Sequence, residues 1–275
     1  MSYRVHLLDP SPQTEYLTAL KANLDPAVSL THSQAPDDPE HVQALVAGWP
    51  GAPLLDSCTS LKALVIPFAG LPASTARKLS GRSLAVYNLH HNAEAAAEMA
   101  LALLLSAAKC VVPMDRALRQ FDWRARHEPD PGIMLSGRNA LVLGYGAIGK
   151  RVADKLTALG LKVRAVRRRN TDHTAPVPTY PPEALEDLLP SAQVLVITLP
   201  GTAQTNGMLS AARMAMLPTD GIVINIGRAR VVDESALFNA LRDGHLHSAG
   251  LDVWYRYPKT KDDRISTPPS STPLH

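Results

Sequence analysis

The sequence predicts an α/β protein of two domains, each built on a parallel sheet. Short apolar runs alternate with helical patterns along most of the chain, and this alternation is typical of strand–helix–strand units. A length of 275 residues is enough for two domains that each bury a core. With 45% hydrophobic and 19% charged residues, the composition argues against a largely disordered chain.

The first domain is predicted to cover residues 1–108. Buried strands are expected at Arg4–Leu8 and Ala63–Ile66, with helical patterns near 14–22 and 39–48. Strands and helices that alternate in this way favour a small parallel sheet covered by helices.

The second domain is predicted to cover residues 109–258, where the alternation is more regular. Its strands are expected at Leu141–Leu143, Lys162–Val166, Val194–Thr198, Gly221–Ile226 and His247–Val253. Helices are expected near 147–159, 182–188, 209–217 and 234–242. The repeated strand–helix order is that of a doubly wound nucleotide-binding sheet. Residues 259–275 are polar and rich in Pro, Ser and Thr, which predicts a loop or a mobile tail.

The clearest motif is the run Gly-Tyr-Gly-Ala-Ile-Gly, which lies between a predicted strand and a predicted helix. Gly144 permits the tight turn, Gly146 lets the backbone approach a pyrophosphate, and Gly149 lets the helix pack against the strand. The positive end of the helix dipole favours an anion at this point. The run therefore predicts dinucleotide binding, in which Ala147 and Ile148 also take part.

Three arginines, Arg167, Arg168 and Arg169, follow the next predicted strand. They lie about twenty residues beyond the glycines, where NAD-binding proteins carry a carboxylate for the ribose 2′-hydroxyl. No carboxylate follows this strand until Asp172. Because guanidinium groups match phosphate geometry, the cluster predicts a preference for NADP(H), with NAD(H) as the second possibility. The other interpretation is a solvated strand end.

Another arginine, Arg228, lies just beyond the predicted strand Gly221–Ile226. Ligands of open α/β sheets bind at the carboxyl ends of the strands. A guanidinium group in that place can bind a carboxylate and polarise a neighbouring carbonyl group. The alternative is an ordinary surface salt bridge.

The order of these motifs resembles the D-isomer-specific 2-hydroxyacid dehydrogenase family. Beyond the glycine run, the resemblance rests on Leu199-Pro200 with Thr202 and Thr205, Asn225-Ile-Gly-Arg228, Gly250-Leu-Asp252-Val, Pro67-Phe-Ala-Gly-Leu71 and Asn92–Glu98. It covers nearly the whole chain. It implies a flavodoxin-like substrate domain beside a Rossmann domain, and hydride transfer between NADP(H) and a small 2-keto or 2-hydroxy acid such as glyoxylate or hydroxypyruvate.

The resemblance also implies roles for individual residues. Arg228 falls on the catalytic arginine, and Ala69 and Gly70 fall where backbone amides bind the substrate carboxylate. The residues that would line the cofactor are Leu199, Pro200, Thr205, Ile226, Gly227 and Asp252. The resemblance further implies a homodimer that associates through the segment from about Glu98 to Trp123.

Two departures from the family pattern concern the proton donor. Tyr257 stands where the family places a glutamate before a proline, and the Pro-His pair that supplies the general acid would lie beyond His275. A positioned acid contributes about 10²–10⁴-fold to rate, so we expect a C-terminally truncated member with impaired turnover. The Tyr257 hydroxyl is a substitute donor or packs at a domain edge. The alternative function is a non-catalytic NAD(P)-binding regulatory or truncated inactive protein.

Other features narrow the partners. His90 and His91 have no third ligand at metal-binding spacing, so His90 is expected to contact substrate or cofactor, or to cap its neighbours locally. A net charge of +3 without a basic stripe disfavours nucleic acid. The apolar segment from about 95 to 112 is short for a bilayer and is interpreted as a core helix. Two cysteines and the lack of a secretory signal predict a cytoplasmic protein without a membrane partner.

Overall fold

The computed structural model describes four stretches of the chain: residues 2–9, 12–124, 132–258 and 260. The predicted tail at 259–275 lies outside the described residues apart from Thr260. Contacts divide the chain into two compact units, Met1–Asn92 and Ala93–His275. Each unit is built on a parallel sheet with helices, which confirms the predicted fold class.

The first unit has a five-stranded parallel sheet of the flavodoxin order β2-β1-β3-β4-β5. Its strands are β1 (Tyr3–Leu8), β2 (Val28–Ser33), β3 (Ala44–Val46), β4 (Ala63–Ile66) and β5 (Ala85–Asn88). Its helices are α1 (Thr14–Ala22), α2 (Ala52–Ser57) and α3 (Ala73–Leu79). Leu45, Leu64 and Ile66 are fully buried and form the centre of its core.

One predicted helix of this unit is wrong. The segment 39–48 forms a short 3-10 turn at Pro39–His41 and then strand β3, not a helix. A short run of apolar residues such as Ala44 to Ala47 fits a strand buried on both faces as well as a helix. Here β3 pairs with both β1 and β4, and this pairing decides in favour of the strand.

The second unit has a six-stranded parallel sheet in the order β11-β10-β9-β6-β7-β8. Its strands are β6 (Asn139–Leu143), β7 (Lys162–Val166), β8 (Thr179–Tyr180), β9 (Val194–Ile197), β10 (Gly221–Asn225) and β11 (Leu246–Leu251). Its helices are α4 (Ala93–Ala108), α5 (Val111–Leu118), α6 (Ala147–Ala158), α7 (Leu185–Leu188), α8 (Ala211–Ala215) and α9 (Glu234–Arg242). Counted within the unit, this is the Rossmann order 3-2-1-4-5-6, whose direction reverses between β6 and β9.

Strand β6 shows why the central strands are continuously apolar. Val142 faces the apolar cluster formed with α4 and α6, while Leu141 and Leu143 face the opposite cluster. All three residues are completely buried. A parallel sheet that helices cover on both faces requires apolar side chains on both faces of its inner strands.

Helix α4 belongs to the second unit, so the division falls after Asn92 and not after residue 108 as the sequence suggested. Its carboxylate Glu94 forms ion pairs with Arg151, at 3.0 Å, and with Lys155, both on α6. Gly250 of β11 also lies against the helix, because a Cβ at that position would be 2.8 Å from Cβ of Leu103.

The buried face of α4 agrees with its interpretation as a core helix. Its buried residues recur at helical spacing: Ala93, Ala97, Ala100, Leu104 and Ala108. Within the described stretches, no single helix is long and apolar enough to cross a membrane. Helices α4 and α5 meet that test of length and composition only as a pair, which is bent by 60°.

Candidate functional site

The predicted cofactor residues of the second unit gather at the carboxyl edge of its sheet. Because all its strands are parallel, the segments that follow β6, β7, β9, β10 and β11 emerge at one edge. These segments contain the glycine turn, the three arginines, Leu199 with Pro200, Gly227 with Arg228, and Asp252.

The glycine turn connects β6 to α6 through a close approach of backbone atoms. Gly144 has φ +97°, a conformation that glycine adopts without steric cost. A Cβ on the buried Gly149 would lie 1.8 Å from the carbonyl oxygen of Gly144, so only glycine fits there. A Cβ on Gly146 would meet nothing within 4 Å. The first turn of α6 thus has open space above Gly146, where an anion can reach the helix N-terminus.

A hydroxyl group that sequence reasoning missed holds this turn in place. The Oγ1 atom of Thr198, just after β9, donates to the carbonyl oxygens of Gly144 at 2.8 Å and Leu143 at 3.2 Å. Its position offers one signal, because a single hydroxyl ends an otherwise apolar strand. Thr198 therefore ties the segment after β9 to the glycine turn.

The three arginines lie where the sequence placed them, directly after β7. Arg167 is half-buried and Arg168 and Arg169 are exposed. Among the described residues, no carboxylate lies within 4.0 Å of any of the three guanidinium groups. The main-chain N–H of Arg167 donates to the carbonyl oxygen of Tyr180 at 2.9 Å, and this bond fixes where the arginine leaves the sheet.

The nearest carboxylate in sequence, Asp172, is engaged within its own loop. Its Oδ1 atom accepts hydrogen bonds from the hydroxyl of Thr174 at 2.7 Å and from the main-chain N–H of Thr174 at 2.9 Å. These two bonds lower the pKa of Asp172. Thr179 supports the same loop, since its Oγ1 accepts from the N–H of Asp172 at 2.7 Å.

Asn225, the last residue of β10, shapes the turn that carries Arg228. Asn225 is almost completely buried. Its Oδ1 accepts from the N–H of Gly227 at 3.0 Å, and its Nδ2 donates to the carbonyl oxygen of Arg228 at 3.1 Å. Its main-chain oxygen accepts from the N–H of Asp252 at 3.0 Å. The side chain of Asn225 thus shapes the Arg228 turn, and the main chain of Asn225 joins the Asp252 segment to that turn. Sequence reasoning assigned no role to Asn225.

Arg228 itself is exposed at the edge of the sheet. Its Nη1 donates to the carbonyl oxygen of Gly227 at 2.7 Å. Gly201 lies against its aliphatic stem, because a Cβ on Gly201 would be 3.3 Å from Cγ of Arg228. The guanidinium group therefore has a supported stem and an accessible charge.

Two predicted cofactor residues have their side chains turned inward. The Oγ1 atom of Thr205 donates to the carbonyl oxygen of Pro200 at 2.6 Å and accepts from the N–H of Thr202 at 2.9 Å. Thr205 is 7% exposed, so its hydroxyl braces the loop after β9. The side chain of Ile226 packs into the apolar core and leaves its backbone at the edge.

Asp252 and Tyr257 are both exposed after β11. The Tyr257 hydroxyl oxygen accepts a hydrogen bond from the N–H of Trp254 at 3.0 Å. The neighbouring Tyr255 hydroxyl donates to the carbonyl oxygen of Val232 at 3.1 Å, and burial raises its pKa. Of these two tyrosines, Tyr257 is the one with an exposed ring, and Tyr255 anchors the segment.

In the first unit, the predicted substrate residues follow strands β4 and β5 at the carboxyl edge of that sheet. Ala69 and Gly70 lie in the segment after β4 and are half-buried. His90 is exposed after β5, and its Nε2 lies 3.4 Å from Nδ2 of Asn88. Across the described residues, no group of three or more His, Cys, Asp or Glu side chains could hold a metal ion.

A Rossmann sheet with a glycine turn at its switch point defines the second unit as a dinucleotide-binding domain. A model of the D-isomer specific 2-hydroxyacid dehydrogenase family, NAD binding domain, matches residues 101–272, more than half of the chain. The chain belongs to this family, as its motifs indicated, and its second unit is an NAD(P)-binding domain.

Named relatives agree with this assignment. D-3-phosphoglycerate dehydrogenase of Mycobacterium tuberculosis (strain ATCC 25618 / H37Rv) is 32% identical over 210 residues, which are 76% of this chain and 39% of that protein. Glyoxylate/hydroxypyruvate reductase B of Yersinia pestis (strain Pestoides F) is 33% identical over 177 residues, which are 63% of this chain and 54% of that protein. The chain thus spans about half, or less, of the length of these relatives.

Solved structures show the same architecture. A D-isomer specific 2-hydroxyacid dehydrogenase from Xanthobacter autotrophicus Py2, in complex with NADPH and MES, superposes with a TM-score of 0.80 at 28% identity. The superposition covers 96% of this chain and 84% of that chain.

Substitution of two glycines should separate cofactor binding from folding. In Gly146→Ala the new methyl group meets no protein atom within 4 Å, so we expect a thermal midpoint near that of the parent. The methyl group would obstruct the pyrophosphate, so the affinity for both NADPH and NADH should fall by about tenfold or more. In Gly149→Ala, α6 must move away from Gly144, and the free energy of unfolding should fall by about 1–3 kcal/mol or more.

Thermal unfolding and fluorescence titration with each dinucleotide measure these effects. A Gly146→Ala variant that binds both dinucleotides as tightly as the parent would show that the turn does not hold the pyrophosphate.

Proposed function

We propose that this protein transfers a hydride between NADP(H) and a small 2-keto or 2-hydroxy acid. The observation that carries the proposal is the exposed, braced Arg228 at the same sheet edge as the glycine turn. When bound, the nicotinamide supplies or accepts the hydride. Arg228 binds the substrate carboxylate and polarises the keto oxygen, on which negative charge develops as the hydride arrives.

The residues at the edge of the second unit fit a dinucleotide. The open space at Gly146 suits the pyrophosphate at the N-terminus of α6. In this proposal Leu199 and Pro200 line the cofactor together with the backbone of Ile226 and Gly227, and Asp252 meets the carboxamide. Thr205 acts through the loop that it braces.

The substrate and its proton donor are the finer parts of the proposal. Backbone amides at Ala69 and Gly70 bind the carboxylate of the acid, and His90 contacts the substrate. Glyoxylate and hydroxypyruvate are the proposed substrates, because similar proteins are named glyoxylate reductase and glyoxylate/hydroxypyruvate reductase. Tyr257 is the candidate proton donor within the described stretches, since its oxygen accepts the Trp254 N–H and its own proton can be given away.

The preference for NADP(H) rests on charge at the end of β7. Three guanidinium groups stand there without a carboxylate partner among the described residues, and Asp172 is held by Thr174. A 2′-phosphate gains charge-assisted hydrogen bonds from arginine, whereas a 2′-hydroxyl gains little. The solved relative from Xanthobacter autotrophicus Py2 is a complex with NADPH.

We further propose a cytoplasmic homodimer. Apolar side chains are exposed on and beside α5, including Val111, Val112, Leu118, Phe121 and Trp123. Exposed apolar patches of this kind mark association surfaces. The chain has only two cysteines, which suits a reducing compartment.

Removal of Arg228 should abolish most turnover. In Arg228→Ala we expect kcat/KM with glyoxylate or hydroxypyruvate to fall by roughly 10²–10³-fold, because a preorganised charge beside the developing oxyanion is lost. Arg230→Ala is the matched control, since Arg230 is also exposed two residues away, and its kcat/KM should stay near the parent value. Oxidation of NADPH is followed by absorbance. If the parent binds NADPH but oxidises it with no 2-keto acid, the protein is a non-catalytic dinucleotide-binding protein.

A charge reversal at the end of β7 tests the cofactor preference. In Arg167→Asp the affinity for NADPH should fall by about tenfold to a hundredfold, the equivalent of a lost charged hydrogen bond of about 1.5–3 kcal/mol. The affinity for NADH should stay equal or rise. Arg77→Asp changes the net charge equally on an exposed face of α3 and should leave both affinities unchanged. A parent that binds NADH as tightly as NADPH would contradict the proposed preference.

The association surface is tested by light scattering on the eluted protein. We expect the parent to have twice the mass of one chain and Val112→Glu to have the mass of one chain, because a buried carboxylate opposes association. Tyr16→Glu places the same charge on the exposed α1 and should remain dimeric. A monomeric parent would overturn the homodimer.

A further inference from the structure

The ring of Tyr145, between the first two glycines of the turn, lies beside two cations. The Cζ atom of Arg167 is 5.9 Å from the ring centroid, and the Nζ atom of Lys150 is 6.0 Å from it. Lys150 is the residue that follows Gly149 in α6. Both distances fall within the range in which an aromatic ring attracts a cation.

The ring is fixed while the cations are accessible. Tyr145 is half-buried and packs against the apolar cluster beneath the turn. Burial raises the pKa of its hydroxyl, the charge of Asp154 raises it further, and Arg167 lowers it. Lys150 is exposed and Arg167 is half-buried. A rigid platform therefore holds two long, flexible side chains.

The described residues give neither of these two cations an ion pair. The carboxylate of Asp154 also acts on this ring, so two positive charges and one negative charge leave a net positive potential there. A phosphate bound beside the ring gains charge-assisted hydrogen bonds from the arginine and lysine side chains. The positive charges beside Tyr145 therefore favour the binding of an anion.

We propose that Tyr145 is a positioning residue that orders Arg167 and Lys150 for the phosphates of NADP(H), and so contributes to selection of the 2′-phosphorylated dinucleotide. This inference rests on the proposed function. Tyr145 acts through the two cations and has no part in hydride transfer. Sequence patterns for dinucleotide binding leave this position unspecified, since it is an x in G-x-G-x-x-G.

Removal of the ring should change the discrimination between the two dinucleotides. In Tyr145→Leu we expect the Kd for NADPH to rise about threefold to tenfold, the scale of a cation–ring interaction, with a change in the Kd for NADH below about twofold. Tyr145→Phe keeps the ring and should retain the parent ratio of the two Kd values. Tyr180→Leu is the matched control, because that ring lies tilted against His173 and lies over no cation in the described structure. Its ratio should equal that of the parent.

Titration calorimetry gives each Kd, and thermal unfolding verifies that the variants fold. Tyr145→Leu should have no further effect on the ratio in an Arg167→Ala, Lys150→Ala background. An equal loss of NADPH and NADH affinity in Tyr145→Leu would overturn the inference, because it would show that the ring only packs. A loss in Tyr145→Phe as large as in Tyr145→Leu would overturn it as well.

Failure of the inference is distinguishable from failure of the proposed function. If Arg167→Asp lowers NADPH affinity selectively while Tyr145→Leu does not change the ratio, the cofactor preference stands and the role of Tyr145 is refuted. If Arg167→Asp has no selective effect, the cofactor preference fails and the role of Tyr145 fails with it.

Discussion

The arrangement of the second unit depends on the contact between Gly149 and the backbone of Gly144. Because a Cβ would lie 1.8 Å from the Gly144 oxygen, α6 packs closer to β6 than any other residue would allow. That approach brings the helix N-terminus to the carboxyl edge of the sheet, where the helix dipole and free N–H groups favour an anion. Thr198 then locks the turn to the segment after β9 through the Gly144 oxygen. The cofactor site is thus a consequence of backbone packing before any charged side chain contributes.

The fold and the location of the site could be predicted because their signals are local. The glycine motif can be interpreted from local sequence alone, because it combines a characteristic spacing with a preceding strand and a following helix. A short, continuously apolar run such as 141–143 likewise predicts a strand that is buried on both faces. Segment 39–48 was misassigned because its apolar run fits either structure, and only pairing with β1 and β4 decides between them. Helix α4 was assigned to the wrong side of the division for a similar reason, since its partners on α6 and β11 lie far along the chain.

The supporting side chains could not be predicted, because their roles depend on contacts between separate strands. In the sequence Asn225 looks like any polar residue at the end of a strand. In the structure its side chain forms hydrogen bonds with the main chain of both Gly227 and Arg228. Thr205 was expected to face the cofactor, but its hydroxyl spans from Pro200 to Thr202 within the loop. Buried polar atoms must find partners, and the loops at this edge supply them. The side chains that hold the loops of the site in place are therefore mostly buried ones that point away from the space where a ligand would bind.

The charged side chains near the same edge differ from the buried polar groups, because several of them lack a partner within the protein. Asp172 is satisfied by Thr174, and Glu94 by Arg151 and Lys155, whereas Arg167, Lys150 and Arg228 have no carboxylate partner in the described part of the chain. A protein surface with carboxylates nearby usually pairs its cations, because pairing is weakly favourable and lowers like-charge repulsion. Asp252 is an exposed acid at this edge, and in the described part of the chain it forms no ion pair with the cations that follow β6, β7 and β10. The positive potential that remains is unsatisfied by the protein alone, and it is the physical reason to expect an anionic cofactor and a carboxylate substrate at this edge.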